Sequence, residues 1–196
     1  MLKPILLVSA VALIAFSSST VRAACHTALA CLVMSSERPS EEMMMTPRLN
    51  PFAAAPALMN SWLEFSQELR KCSLEESLMG LVVIRASQIN GCAYCLDMHT
   101  IEARKRGESE QRLYLLDAWR DSPLYSERER AALAWTEALT SLPETGAPDD
   151  DYRALKAQFA EEEQVKLTLL IVAINGWNRI QVGFRAVHPF EERRAA

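Results

Sequence analysis

The sequence predicts an all-α domain, and three observations predict it. Only 6 of the 196 residues are glycine, too few for a turn-rich β-barrel. Beyond residue 46 apolar residues recur at intervals of three and four, and no stretch alternates at period two. Twice a serine stands three residues before a glutamate at the head of an apolar run, the signature of a helix capping box.

Six or seven helices follow in order. Leu58 to Leu69 carries Met59, Trp62, Leu63, Phe65 and Leu69 near one face. Ser73 with Glu76 reads as the first capping box, opening a helix through Leu78, Leu81, Val82, Ile84 and Ala86 to Ile89. Asn90-Gly91 breaks it, because both residues tolerate left-handed backbone. A third helix runs from about Cys92 to Gly107, and a fourth covers Glu110 to Trp119 before Pro123. Ser126 with Glu129 opens a fifth, through Ala131, Leu133, Trp135, Ala138 and Leu139 to Pro143. Thr145 to Asp151 reads as a loop, and Tyr152 to Phe159 as a short helix. The last helix runs from about Val165 to Val187 and stops at His188-Pro189. Its run Leu167 to Ile174 is apolar nearly all round, which predicts the central buried helix. The domain spans residues 46–190, and residues 191–196 form a charged tail.

Hydrophobic residues make up 49% of the chain, ample for one packed core, and the length excludes two large domains. A net charge of −4 leaves no basic excess for binding nucleic acid. Residues 1–44 have two readings. Ile5 to Phe16 is uncharged and precedes Val21-Arg22-Ala23, a signal-peptide pattern that implies export through residues 1–23. It is too short for a membrane span, which takes about 20 residues. Alternatively translation starts at Met45 and the protein is cytoplasmic; residues 1–44 are then a mis-called start plus a linker.

The chemistry concentrates in Asn90-Gly91-Cys92-Ala93-Tyr94-Cys95-Leu96-Asp97-Met98-His99. On one helix, Cys92, Cys95 and His99 share a face. Residues three apart on a helix have Cα atoms roughly 5 Å apart, within disulfide reach. The pair opens a helix, where free amides and the macrodipole favour a thiolate. His99, one turn on, is the residue type that can take or return a proton near neutral pH. A reversible dithiol beside a proton shuttle is the reading of Cys92, Cys95 and His99. The rivals are a non-catalytic redox sensor using the same dithiol, and a metal site on the same three residues. Covalent haem attachment is excluded by Leu96, and a thioredoxin fold by the missing βαβ context. Neither a cofactor nor a metal is required by the preferred reading.

These residues resemble the alkylhydroperoxidase D / carboxymuconolactone decarboxylase family, in its AhpD-like peroxidase branch. The likeness covers most of residues 46–190. It is carried by Arg85-Ala86-Ser87-Gln88-Ile89-Asn90-Gly91-Cys92-Ala93-Tyr94-Cys95 with His99, by Gly107-Glu108 and Gln111-Arg112-Leu113, and by Glu129 to Trp135 and Trp177-Asn178-Arg179. The resemblance implies an all-helical fold that assembles into trimers or hexamers. It implies thiol-dependent reduction of hydroperoxides, with an external dithiol restoring the pair. By the same resemblance Cys95 attacks and Cys92 resolves, whereas the helix dipole favours Cys92 as the thiolate.

Two positions depart from that pattern. A glutamate twelve residues before the first cysteine belongs to the family's proton relay, and Gly80 stands there. Glu76 lies one turn earlier, about 6 Å away along the axis. Gly80 marks either close helix packing or a widened pocket. Tyr94 replaces a histidine found in some members. Elsewhere, Trp119, Trp135 and Trp177 read as core or subunit-interface residues, Arg85 and Arg179 as interhelical ion-pair partners or, alternatively, as attractors of an anionic substrate, Cys72 as a passive filler, and His188 as a helix C-terminal cap.

Overall fold

The computed structural model describes residues 46–189. Residues 1–44, read as a leader or as a mis-called start plus linker, and the tail at 191–196 lie outside the described residues. Every regular element among them is helical: α1 (Pro51–Ala54), α2 (Pro56–Arg70), α3 (Glu76–Ile89), α4 (Ala93–Lys105), α5 (Glu110–Leu115), a 3₁₀ segment (Leu116–Asp121), α6 (Glu127–Thr140), α7 (Leu142–Thr145), α8 (Asp149–Gln158) and α9 (Glu161–Gly183). Seven of the α-helices exceed one turn, in keeping with the six or seven that the periodicity predicts. The extra single turns, α1 and α7, each have a proline pre-set in the first turn. None of the described helices is long and apolar enough to cross a membrane.

The element boundaries follow local chemistry. At Ser126 the expected capping box is present, with the hydroxyl accepting from Glu129 N–H and the Glu129 carboxylate accepting from Ser126 N–H. At Ser73 it is not. Leu74 is buried with Leu155, Phe159 and Leu167, which holds residues 71–74 out of the helix, and α3 begins only at Glu76. The Ser73 hydroxyl instead accepts from Lys166. The expected loop at Thr145–Asp151 is shorter than predicted, because Asp149, Asp150 and Asp151 form the first turn of α8, where carboxylates complement the helix dipole. The fourth helix changes to 3₁₀ at Leu116 and is bent at Ala118.

The hub of the fold is α3, which packs against α4, α6 and α9. Leu81, Val82, Ile84 and Ala86 on it are no more than 1% exposed. Burying such a leucine or isoleucine contributes about 2–3 kcal/mol each. The expectation that the last helix is the central one is overturned. One face of α9 enters the core through Leu167, Leu170, Ile171 and Ile174, but Val165, Leu169 and Val172 are 59%, 37% and 51% exposed. An all-apolar helix in this position buries one stripe and presents the other.

Ion pairs tie the outer elements together. Arg112 bonds Glu108 at 2.9 Å and Glu129 at 2.6 Å and lies over the Tyr125 ring, which joins α5 to α6. Arg128 links Glu75 and Glu163. Arg85 on α3 bonds Glu137 on α6 at 2.7 Å and also meets Asp117.

Candidate active site

The site is made by a helix break. Asn90 caps α3 and Gly91 follows with φ +63°, a left-handed turn that suits glycine. Gly91 N–H then reaches Gln88 O at 3.2 Å, and Cys92 N–H reaches Ser87 O at 3.0 Å. This is the Schellman pattern, which satisfies the last carbonyls of α3. Cys92 is thereby fixed as the N-cap of α4, with extended backbone, and its sulfur accepts from Cys95 N–H at 3.4 Å. Cys95 falls in the first turn of α4 and His99 one turn later. Both cysteines are free thiols, 1% exposed, packed against Ala86 and Ile174.

The two thiols share one proton unequally. Cys92 is brought down from 9.0 to about 7, chiefly because the Cys95 thiol donates to its sulfur; Cys95 N–H and the Asn178 amide add to this against the opposing effect of burial. Cys95 is pushed up, first by holding that proton for Cys92, then by burial and by the negative charge beside it. Asn178 is 1% exposed and its amide is locked. Its oxygen accepts from Asn90 at 2.9 Å and its nitrogen donates to Ser87 Oγ at 3.0 Å, which leaves one N–H for the thiols.

His99 is 6% exposed. Its Nδ1 lies 3.2 Å from Glu102 Oε2, and Glu102 Oε1 lies 3.4 Å from Arg70. The histidine hydrogen bond, with Arg70 behind it, holds the Glu102 carboxyl down from 4.5 to about 2, so it is ionised throughout the neutral range. Gly80 is the widened pocket and not a packing contact: a Cβ there would meet nothing within 4 Å. It lines a small cavity of about 100 Å³ with His99, Glu102 and Glu76. Glu76 spends its carboxylate on Arg106 at 3.4 Å.

On the other side of His99 lies a larger cleft of about 360 Å³. Cys95, His99 and Glu102 line it together with Arg70, and Phe52, Leu63, Met98, Tyr94 and Trp177 make most of its lining apolar. Trp177 is held by stacking on Phe52 and by its N–H bond to Ser66 Oγ at 2.9 Å.

Cys92, Cys95 and His99 are therefore brought together as the spacing predicts. Arg85 is an interhelical ion-pair partner, but Arg179 is not: it donates to Asn175 on its own helix. His188 does not cap α9, which ends at Gly183; its Nδ1 contacts Pro189 O. Trp119 and Trp135 are buried core, and Cys72 packs its sulfur on that of Met79. Sequence reasoning missed Glu102, Arg70 and Asn178. The spacing of Glu102, three residues after His99 on one helix, was a usable signal. Arg70 and Asn178 come from distant helices; Arg70 carried no signal, and Asn178 only its place in the Trp177-Asn178-Arg179 string of the resemblance. Among the described residues no group of three or more His, Cys, Asp or Glu is arranged to hold a metal ion.

The model of the carboxymuconolactone decarboxylase family matches residues 56–138. The uncharacterized protein YdfG of Bacillus subtilis is 41% identical over 138 residues, covering 70% of this chain and 94% of its own. The uncharacterized protein YnjA of Escherichia coli is 34% identical over 111 residues, covering 56% of this chain and 58% of its own. Among solved structures, a protein of unknown function from Agrobacterium tumefaciens, provisionally called the antioxidant defence protein AhpD, is 47% identical. It covers 74% of this chain and all of its own, with a TM-score of 0.73. The debrominase Bmp8 shares the fold at a TM-score of 0.65 and 19% identity, covering 70% of this chain and 74% of its own.

Proposed function

The chain belongs to the carboxymuconolactone decarboxylase family and is AhpD-like within it; on that premise we propose that it is a thiol-dependent peroxidase. It reduces organic hydroperoxides through a dithiol/disulfide cycle of Cys92 and Cys95. The observation that carries this reading is a buried pair of free cysteines, Cys92 and Cys95, joined by the Cys95 N–H bond to the Cys92 sulfur, with Cys95 and His99 lining one apolar cleft.

In the proposed cycle Cys95, which lines the cleft, attacks as thiolate the terminal oxygen of the hydroperoxide. The O–O bond breaks, Cys95 becomes a sulfenic acid and the alkoxide takes a proton from His99 to leave as the alcohol. Cys92 then attacks the Cys95 sulfur. The S–O bond breaks, hydroxide leaves with a proton as water, and the disulfide forms. Two thiols and one hydroperoxide thus yield disulfide, alcohol and water. An external dithiol returns the two electrons by exchange at the disulfide. The apolar walls favour an organic substituent on the hydroperoxide over hydrogen peroxide alone.

We also propose a homo-oligomer, supported by Val165, Leu169 and Val172, exposed at helical spacing on one face of α9. The deciding experiment is peroxide consumption with cumene hydroperoxide and several dithiol donors. Wild-type protein turns over, and Cys92→Ser and Cys95→Ser each abolish turnover. Undiminished consumption by both variants overturns the reading.

A further inference from the structure

His99 separates two cavities. One is the cleft it shares with Cys95; the other is the notch over Gly80. Glu102 and Arg70 border both, so the three side chains form the partition. Each oxygen of Glu102 has its own partner: Oε2 faces His99 Nδ1 at 3.2 Å and Oε1 faces Arg70 at 3.4 Å. A carboxylate can only accept, so the hydrogen between Glu102 and a neutral imidazole sits on Nδ1. Nε2 is then the bare nitrogen.

We propose that Glu102 is the positioning residue of this site: it fixes His99 as the Nδ1–H tautomer and stabilises the imidazolium that forms when Nε2 takes the proton of Cys95. This rests on the reading of Cys95 as a reactive thiol. The proton leaves Cys95 Sγ and is held on His99 Nε2. The sulfur becomes negative and the ring positive, and the fixed negative charge of Glu102 offsets the ring. Arg70 offsets part of that charge, and its bond to the other oxygen keeps the carboxylate aimed. The remaining charged groups around the partition are Glu76 on α3 and Arg106 at the end of α4, which pair with each other. From α9 the cleft receives Trp177 and Gln181, neither of which titrates in the neutral range. Glu102 is thus the carboxylate oriented on the histidine, and it comes from the histidine's own helix. The empty notch at Gly80, on the neighbouring helix, is where a second carboxylate would fit.

Two measurements test this without any peroxide, so they remain decisive even if turnover with hydroperoxides fails. Nitrogen-15 NMR of the wild-type protein reads the tautomer directly: neutral His99 carries its proton on Nδ1, and a proton on Nε2 overturns the proposal. The second is the pH profile of Cys95 alkylation by iodoacetamide, followed by mass spectrometry of the Cys95 peptide. Glu102→Gln lowers the rate at pH 7 about tenfold. Glu102→Asp retains most of the rate. In the Glu102→Gln background, Gly80→Glu recovers it, since a Cβ at Gly80 meets nothing within 4 Å and the notch is shared with His99. A Glu102→Gln profile that superimposes on wild type, or Asp and Gln variants equally slow at pH 7, overturns the proposal.

Discussion

Replacing Cys95 by alanine and by serine separates two contributions to the thiolate of Cys92. The main cause of its descent from 9.0 to about 7 is the hydrogen bond donated by the Cys95 side chain. Serine keeps a donor at that position and alanine does not. With the wild-type value, about half of Cys92 is thiolate at pH 7; at the ordinary value only about 1% is. Thiolate absorbance near 240 nm, read across pH 5–11, counts the charged form without requiring a reagent to reach a buried sulfur. The Cys95→Ala variant titrates near the ordinary cysteine value, and Cys95→Ser stays well below it. Subtracting a Cys72→Ala control removes the only other described cysteine. Equal titration of the alanine and serine variants refutes the hydrogen-bond reasoning. The same coupling makes stability depend on pH. The folded pair sheds its first proton near pH 7 and the unfolded chain near 9.0, so stability rises with pH through that window. Above it stability falls, because folded Cys95 keeps a proton that the unfolded chain releases.

Three other outcomes follow from the geometry. Gly91→Ala places a side chain at φ +63° in the break that sets Cys92, costing about 1–2 kcal/mol in urea unfolding; an unchanged midpoint contradicts the Schellman account. Gly176→Ala puts a methyl 2.6 Å from Trp62 Cζ2, so the ring moves and its contacts with Phe65 and Trp177 loosen. A loss of about 1–3 kcal/mol and an altered near-ultraviolet circular dichroism spectrum are expected, and retention of both refutes the packing assignment. Val172→Glu introduces a charge in the exposed stripe of α9. It reduces the mass seen by light scattering to that of a monomer while leaving helicity intact, and an unchanged oligomer places the interface elsewhere.

Much of the fold was legible because it is local. The period of Leu78, Leu81, Val82 and Ile84 and the Ser126–Glu129 box are written in adjacent residues, and both appear as expected. The Ser73–Glu76 pattern has the same spelling and failed, because burial of Leu74 is a tertiary demand that outweighs one cap. The run Leu167–Ile174 shows the same limit. Hydrophobicity all round a helix states that each face avoids water, not which face meets the rest of this chain. At the site, the Cys92–Cys95–His99 spacing was readable, as was the reason for Gly91. Asn178 was not, since its amide reaches the thiols only after α9 crosses α3.

The conflict between the two cysteines has a physical resolution. The dipole and the N-cap position favour Cys92 as the thiolate, and the shared proton settles on Cys95 accordingly. Access points the other way, because Cys95 and not Cys92 borders the cleft. Charge and access are therefore carried by different atoms of one hydrogen-bonded pair. A proton moving across that bond exchanges the roles at once, making Cys95 the thiolate and Cys92 the thiol. His99 provides a second outlet for the same proton on the cleft side. With two acceptors for the Cys95 proton, loss of His99 slows the thiol. Loss of Cys92 removes the hydrogen bond and the charge that push Cys95 up, so it speeds the thiol and leaves its proton to His99 alone. His99→Ala therefore costs more in the Cys92→Ala background than in the wild type, because neither acceptor then remains. A double-mutant cycle of Cys92→Ala and His99→Ala, read as Cys95 alkylation at pH 7, measures this coupling. Strictly additive effects would mean that only one of the two groups accepts the proton.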